Sequence, residues 1–279
     1  MIRKISGRQI SILLFSLIMI YPVLWWVGAS LKDDSELTLP GLFPEHPVLS
    51  NFTQGWSAIP KFSFTHFYAN TFELVIILIV LSLVSCSLTA FALARLDFPM
   101  RKLWLGILLV TMMLPGQVTL IPQYTMFHSM NMINTYLPFI IPHLLAGGIG
   151  GSFFVYLLVQ FMRGIPRELD ESAKMDGCSW FGIYFRIMLP LIRPALVTTA
   201  LYCFLWNWDD FFGHLIYINS VSKYTVGLAI KLFVDTQSGD GSWGQLLAMS
   251  LISIVPSTIF FFAVQKQFVE GIAAGALKG

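Results

Sequence analysis

The sequence predicts an all-α integral membrane protein with six transmembrane helices and both termini in the cytoplasm, and three observations carry that prediction. Of 279 residues, 56% are hydrophobic and 15% aromatic while 11% are charged. The mean hydropathy of +0.72 lies outside the range of soluble domains. Six apolar stretches match the roughly 20 residues that a helix needs to cross about 30 Å of hydrocarbon. Lysine and arginine then sort to one side: 13 fall in segments placed inside and four outside, the bias that retained cytoplasmic loops show.

A cytoplasmic N-terminus, residues 1–9, carries Arg3, Lys4 and Arg8. Span 1 covers 10–31. Basic residues before it and Val27-Gly28-Ala29 also fit a cleaved signal peptide. The length of the apolar run, its Pro22, Trp25 and Trp26, and the charge pattern of the later loops favour a retained span. Residues 32–69 form the longest extracytoplasmic loop, with Pro40, Pro44, Pro47 and Pro60, too short and irregular for a domain of its own. A core domain, residues 70–265, holds the other five spans.

Span 2 (70–94) leads to Arg95, Arg101 and Lys102 on the inside. Span 3 (103–124) contains Pro115-Gly116 and Pro122, which interrupt the helical hydrogen-bond ladder. Membranes tolerate such breaks where neighbours or a cavity satisfy the freed groups, so a packing kink and a gate are both open. Span 4 (136–162) carries Gly147 and Gly151 at GxxxG spacing, which predicts close helix approach. Span 5 (195–218) includes Trp206, Asn207, Trp208, Asp209 and Asp210. The acids fit either a polar pathway or an outer interface with an aromatic belt. Span 6 (244–265) precedes a cytoplasmic tail, 266–279.

Several chemistries are excluded by what is missing. No lysine follows a glycine, so no GxxxxGK[ST] phosphate loop occurs. HExxH, GxSxG and CxxC are absent. Cys86, Cys178 and Cys203 are too scattered for a disulfide framework, and His46, His66, His128, His143 and His214 have no partner at ligand spacing. A net charge of +2 gives no reason to expect nucleic-acid binding. We expect neither metal nor catalytic residues in this chain. No internal repeat argues for an inverted-repeat secondary transporter, although Asp209 or Asp210 leaves ion-coupled transport as the alternative.

The segment between spans 4 and 5 stands apart. Seven charged residues fall between Arg163 and Asp176. Pro166 suits a first helical turn, Asp170 and Lys174 stand at i,i+4, and Gly177 is a natural stop. Ser179 can cap a second helix. There Trp180, Phe181, Tyr184, Phe185 and Met188 recur at helical spacing, a face suited to the membrane surface. Pro190 and Pro194 punctuate the turn into span 5. A solvated loop remains open, but these signals describe a structured knob.

Glu171-Ser172-Ala173, Asp176-Gly177, nine residues, Ile187 and Leu189-Pro190 resemble the EAA motif of the membrane subunits of ATP-binding-cassette importers. "LPGQVTLIPQY", "WDDFF", "SWGQLLAMS" and the ending "QKQFVEGIAAGALKG" are similar to sugar-importer permeases of the maltose type, the shorter six-span partner. The resemblance implies a prokaryotic cell-membrane complex. A second permease, two ATPase subunits that bind ATP and Mg, and an extracytoplasmic solute-binding protein would accompany this chain and its sugar or oligosaccharide. It implies a coupling helix at about 166–177, with Glu171, Ser172, Ala173, Asp176 and Gly177 docked in the ATPase and Pro190 shaping the return. It also implies that Gly275, Ala276, Leu277, Lys278 and Gly279 reach towards that interface. Ser172 departs from the motif's alanine, Cys178 from the usual small residue after the glycine, and Asp209 from a common asparagine.

Overall fold

The computed structural model describes residues 7–237 and 242–276, with side chains for 7–236 and 242–265. Every regular element among the described residues is helical: α1 (Gly7–Ser30), α2 (Ser50–Trp56), α3 (Phe64–Arg95), α4 (Arg101–Met113), α5 (Gly116–Ser129), α6 (Leu137–Leu144), α7 (Gly151–Arg163), α8 (Glu168–Met175), α9 (Trp180–Ile183), α10 (Leu189–Leu191), α11 (Arg193–Trp208), α12 (Phe211–Tyr217), α13 (Val226–Gln237) and α14 (Trp243–Ala276). Three helices are long and apolar enough to cross a membrane unaided: α1, α3 and the Trp243–Gln265 part of α14. Two further candidates are bent pairs, α4 with α5 at 102° and the Trp180–Leu191 run with α11 at 75°.

Proline and glycine account for the first bend. Pro115 takes an extended backbone, φ −61° and ψ 130°, at the N-cap of α5, and Gly116 begins that helix. Pro122, by contrast, lies inside α5 and the helix runs through it. Of the three break candidates, then, Pro115 and Gly116 stand at an interruption and Pro122 does not.

The stretch 136–162 is also discontinuous, because α6 ends at Leu144 and α7 begins at Gly151. With 13 residues, α7 alone reaches about 20 Å at 1.5 Å per residue. Gly147, Gly148 and Gly150 lie in this turn, whereas Gly151 opens α7, buried, with its carbonyl 3.8 Å from Cys86 Sγ of α3. A Cβ on Gly151 would lie 2.3 Å from the Ala146 carbonyl oxygen, and one on Gly150 would lie 2.2 Å from the Trp206 ring. Gly150 also needs φ of +75°, a region that costs an L-residue about 1–2 kcal/mol.

The chain divides into two compact units. One comprises residues up to Tyr68 with Val226–Pro256, the other Ala69–Thr225 with the residues from Ser257 on. In the first, polar contacts tie down the loop after α1. Lys32 is buried and donates from Nζ to the Gly41 carbonyl at 2.9 Å. Asn51 Nδ2 donates to the carbonyls of Ser30 and Lys32 at 3.1 and 2.9 Å. Asp34 Oδ1 accepts from Gly244 N at 2.8 Å, satisfying a donor that the start of α14 leaves without an intrahelical partner. Most of α1 is exposed apolar surface, as a lipid- or protein-facing helix must be.

The second unit has an apolar core in which Phe154, Leu158 and Met162 of α7 meet Ala90, Leu93 and Ala94 of α3 and Ile183, Tyr184 and Met188 beyond α8. This core supports the polar segment around α8.

Candidate functional site

Two turns of helix form the polar segment's centre. Arg167 precedes α8 as its N-cap, and Glu168, Asp170 and Glu171 fill the first turn, where acids favour the positive end of the helix dipole. At the other end the amide of Gly177 donates to the Lys174 carbonyl at 2.9 Å and that of Cys178 to Ala173 at 2.9 Å. This pair of bonds is the Schellman arrangement, and it places Gly177 at φ +78°. A Cβ there would meet nothing within 4 Å, so the glycine answers to backbone conformation and not to crowding within this chain.

The two faces of α8 differ. Asp170 and Ala173, three residues apart and so on one face, are buried. Glu171, Ser172, Met175, Asp176 and Gly177 are exposed, and Met175, at 88%, is an apolar tip in a charged rim. Pro190 is exposed too, in the short α10 that leads to the 75° bend into α11. Ser172 is exposed, so its departure from alanine disturbs no packing within this chain.

The ion pair expected from spacing is not the one formed. Asp170 Oδ2 lies 3.2 Å from Arg95 Nη1, with the two side chains 8% and 2% exposed. Arg95 Nη2 also donates to the carbonyls of Met162 and Ile165 at 2.5 and 2.9 Å. Desolvation holds the Asp170 carboxyl above the usual carboxylate range, against the pull of Arg95. Lys174 makes no ion pair with Asp170 within 4 Å among the described residues, and its Nζ stands 3.6 Å over the Trp180 ring.

The aromatic face also divides. Ser179 caps α9 by accepting from Gly182 N at 3.2 Å. Tyr184 and Met188 are buried, and the Tyr184 hydroxyl pairs with Ser87 Oγ at 2.7 Å. Phe181 and Phe185 are 71% and 59% exposed. A π-helical turn, Tyr184–Met188, shifts the register, so the five residues do not make one membrane-facing stripe. Such turns are frequent at functional places.

Residues proposed for a substrate path are dispersed. Asn207 is buried and donates to the Cys203 carbonyl at 2.8 Å. Trp208 is buried against Phe72 and Phe204, with ring centroids 4.9 and 5.3 Å away. Trp206 is 37% exposed and stacks on Phe154 at 5.5 Å. Asp209 is exposed at the end of α11. Asp210 begins α12, its Oδ1 accepting from Gly213 N at 3.0 Å, an N-cap role. Gly275 and Ala276 end α14, while Leu277, Lys278 and Gly279 lie outside the described residues.

Sequence reasoning misses Arg95 as a site residue. Its one signal is an arginine directly after a long apolar run, which reads only as a loop charge.

Helices alone among the described residues, three of them long and apolar enough to cross a membrane, define a membrane component. The family described as binding-protein-dependent transport system inner membrane component matches residues 86–272, and the chain belongs to it. The chain is 31% identical over 271 residues to the probable ABC transporter permease protein YurM of Bacillus subtilis, covering 95% of this chain and 86% of that one. It is likewise 31% identical over 268 residues to the arabinooligosaccharides transport system permease protein AraQ of Halalkalibacterium halodurans, covering 94% and 92%. A crystal structure of a bacterial ABC transporter involved in import of the acidic polysaccharide alginate shares the fold, with a TM-score of 0.78, 22% identity and coverage of 93% and 94%. The ion-coupled alternative finds no support among these relatives.

Proposed function

We propose that this chain is a permease subunit of an ATP-driven carbohydrate importer, lining with a second permease the path of a sugar or oligosaccharide delivered by a solute-binding protein. The carbohydrate class is supported by relatives such as the arabinooligosaccharide permease. Six crossings with both termini cytoplasmic would count α1, α3, the bent pair of α4 and α5, the α6–α7 stretch, α11 with α12, and α14. The lysine and arginine distribution supports that orientation.

One observation carries the reading of α8 as the coupling helix: its inner face is pinned by Asp170 and Ala173 while Met175 projects 88% exposed among Glu171, Asp176 and Gly177. An apolar tip in a charged rim is the usual composition of a docking contact. ATP binding would close the ATPase dimer and draw α8 with its counterpart, and the permease pair would change the side to which its path opens. This chain supplies path and handle, and its partners supply hydrolysis.

A photo-crosslinking amino acid at Met175 in the complete importer tests the reading. Capture of the ATPase subunit is expected, together with loss of uptake per ATP hydrolysed in Glu171→Lys. Absence of that crosslink, with uptake intact in Glu171→Lys, would overturn it.

A further inference from the structure

Three bonds from a single side chain tie α8 and the turn before it to the membrane helices, and that side chain is Arg95, the last residue of α3. Its Nη1 meets Asp170 in the first turn of α8, 3.2 Å away. Its Nη2 holds the carbonyl of Met162 in α7 and that of Ile165 beyond it, at 2.5 and 2.9 Å. The connection between α7 and α8, residues 164–167, is therefore bracketed on both sides by one planar guanidinium. A hinge there would otherwise let α8 tilt without moving anything in the membrane.

The pair is poorly made for stability alone. Arg95 Nε and Asp170 Oδ1 are both buried and make no hydrogen bond within the described residues. Buried ion pairs whose remaining donors and acceptors are unmatched are often no better than well-packed apolar residues of similar volume. A fixed fork of donors does, however, define position and direction, which an apolar contact does not. Around it the apolar cluster of Leu93, Ala94, Met162 and Ala173 fills space without selecting one angle of α8.

We propose that Arg95 is a positioning residue that clamps the coupling helix to α3 and α7, so that displacement of α8 by the ATPase moves these helices as one body. The proposal rests on the reading of α8 as the ATPase-docking helix. In this arrangement Arg95 touches neither solute nor nucleotide and acts through Asp170 and the two carbonyls. Without the clamp, motion of α8 is spent in bending residues 164–167.

The test uses the complete importer, with second permease and ATPase subunits, in lipid nanodiscs and in a cysteine-depleted background. Spin labels at Glu168→Cys, exposed on α8 and outside the docking tip, and at Val84→Cys on α3 report the α8–α3 distance without nucleotide and after trapping with MgATP and vanadate. The distance is expected to stay constant with Arg95 and Asp170 in place. It should shift on trapping in the apolar double variant Arg95→Met/Asp170→Leu, and in Arg95→Lys, whose single ammonium cannot span the carboxylate and both carbonyls. An unchanged distance in the double variant, or a shift already present in the parent, would overturn the clamp. Failure of both variants to assemble would assign the pair to folding and overturn it as well. The Met175 photo-crosslink separates the two ideas: a crosslink retained with an unchanged distance removes only the clamp, whereas no crosslink removes the docking of α8 and the clamp with it.

Discussion

Lys174 Nζ stands 3.6 Å above the centroid of the Trp180 ring, joining the last turn of α8 to the first residue of α9 across the Gly177 turn. Ring and ammonium attract through the aromatic quadrupole, and exposed examples contribute about 0.5–1 kcal/mol. A double-mutant cycle on Lys174→Met and Trp180→Leu, read from thermal unfolding of the assembled importer, should return a coupling of that size. A coupling near zero would mean that the two side chains are neighbours without energetic consequence, and α8 would then be held by Arg95, by the burial of Ala173 and by backbone bonds.

Gly177 separates a demand of the backbone from a demand of a partner. Its φ of +78° makes Gly177→Ala cost about 1–2 kcal/mol, while Gly177→Asn should cost less because asparagine enters the left-handed region more readily. Since a Cβ there meets nothing within 4 Å, Gly177→Leu should be no less stable than Gly177→Ala. Any further loss in ATPase retention by Gly177→Leu, measured by co-purification, then reports contact with the partner.

The polar segment is legible in the sequence because its signals are local. A helix between the proline and the glycine, the stop at Gly177 and the cap at Ser179 depend on neighbours within a few residues. The Pro115-Gly116 bend is legible for the same reason. Arg95 and Asp170 are not, since 75 positions separate them and an arginine after an apolar run reads as a loop charge; only the fold turns it inward. The α6–α7 break is hidden because hydropathy reports preference for an apolar setting and not backbone continuity. Likewise, the π-helical turn at Tyr184–Met188 rotates side chains that a regular 3.6-residue period would align.

Two glycines in helices should respond to alanine with opposite sign. A Cβ on Gly28, near the end of α1, would stand 1.7 Å from the Leu42 carbonyl oxygen. That atom belongs to backbone in the loop that Lys32 and Asn51 tie down, so relief requires the loop to move, and a destabilisation of about 3 kcal/mol is expected from such overpacking. Gly106, within α4, has nothing within 4 Å of its added Cβ. Gly106→Ala should stabilise by about 0.5–1 kcal/mol, the usual penalty of a mid-helix glycine. Denaturation midpoints of the two variants check both signs, and equal effects would show that the Leu42 contact is not held.

Asp210 offers the sharpest distinction between a structural acid and a working one. Its Oδ1 caps α12 through the Gly213 amide at 3.0 Å, and its Oδ2 lies 3.8 Å from His214 Nδ1, whose proton also reaches the Asp210 carbonyl. Asparagine retains the capping oxygen and ranks beside aspartate at an N-cap, whereas alanine forfeits about 1 kcal/mol. ATP-driven uptake by the reconstituted importer should therefore persist in Asp210→Asn with its pH profile unmoved. Asp210→Ala should lower the unfolding temperature, with uptake falling only as far as the amount of folded complex falls. A shifted pH profile in Asp210→Asn at normal stability would instead assign the charge of the Asp210–His214 pair to the transport cycle, because the capping oxygen is kept while the carboxylate that faces His214 Nδ1 is lost.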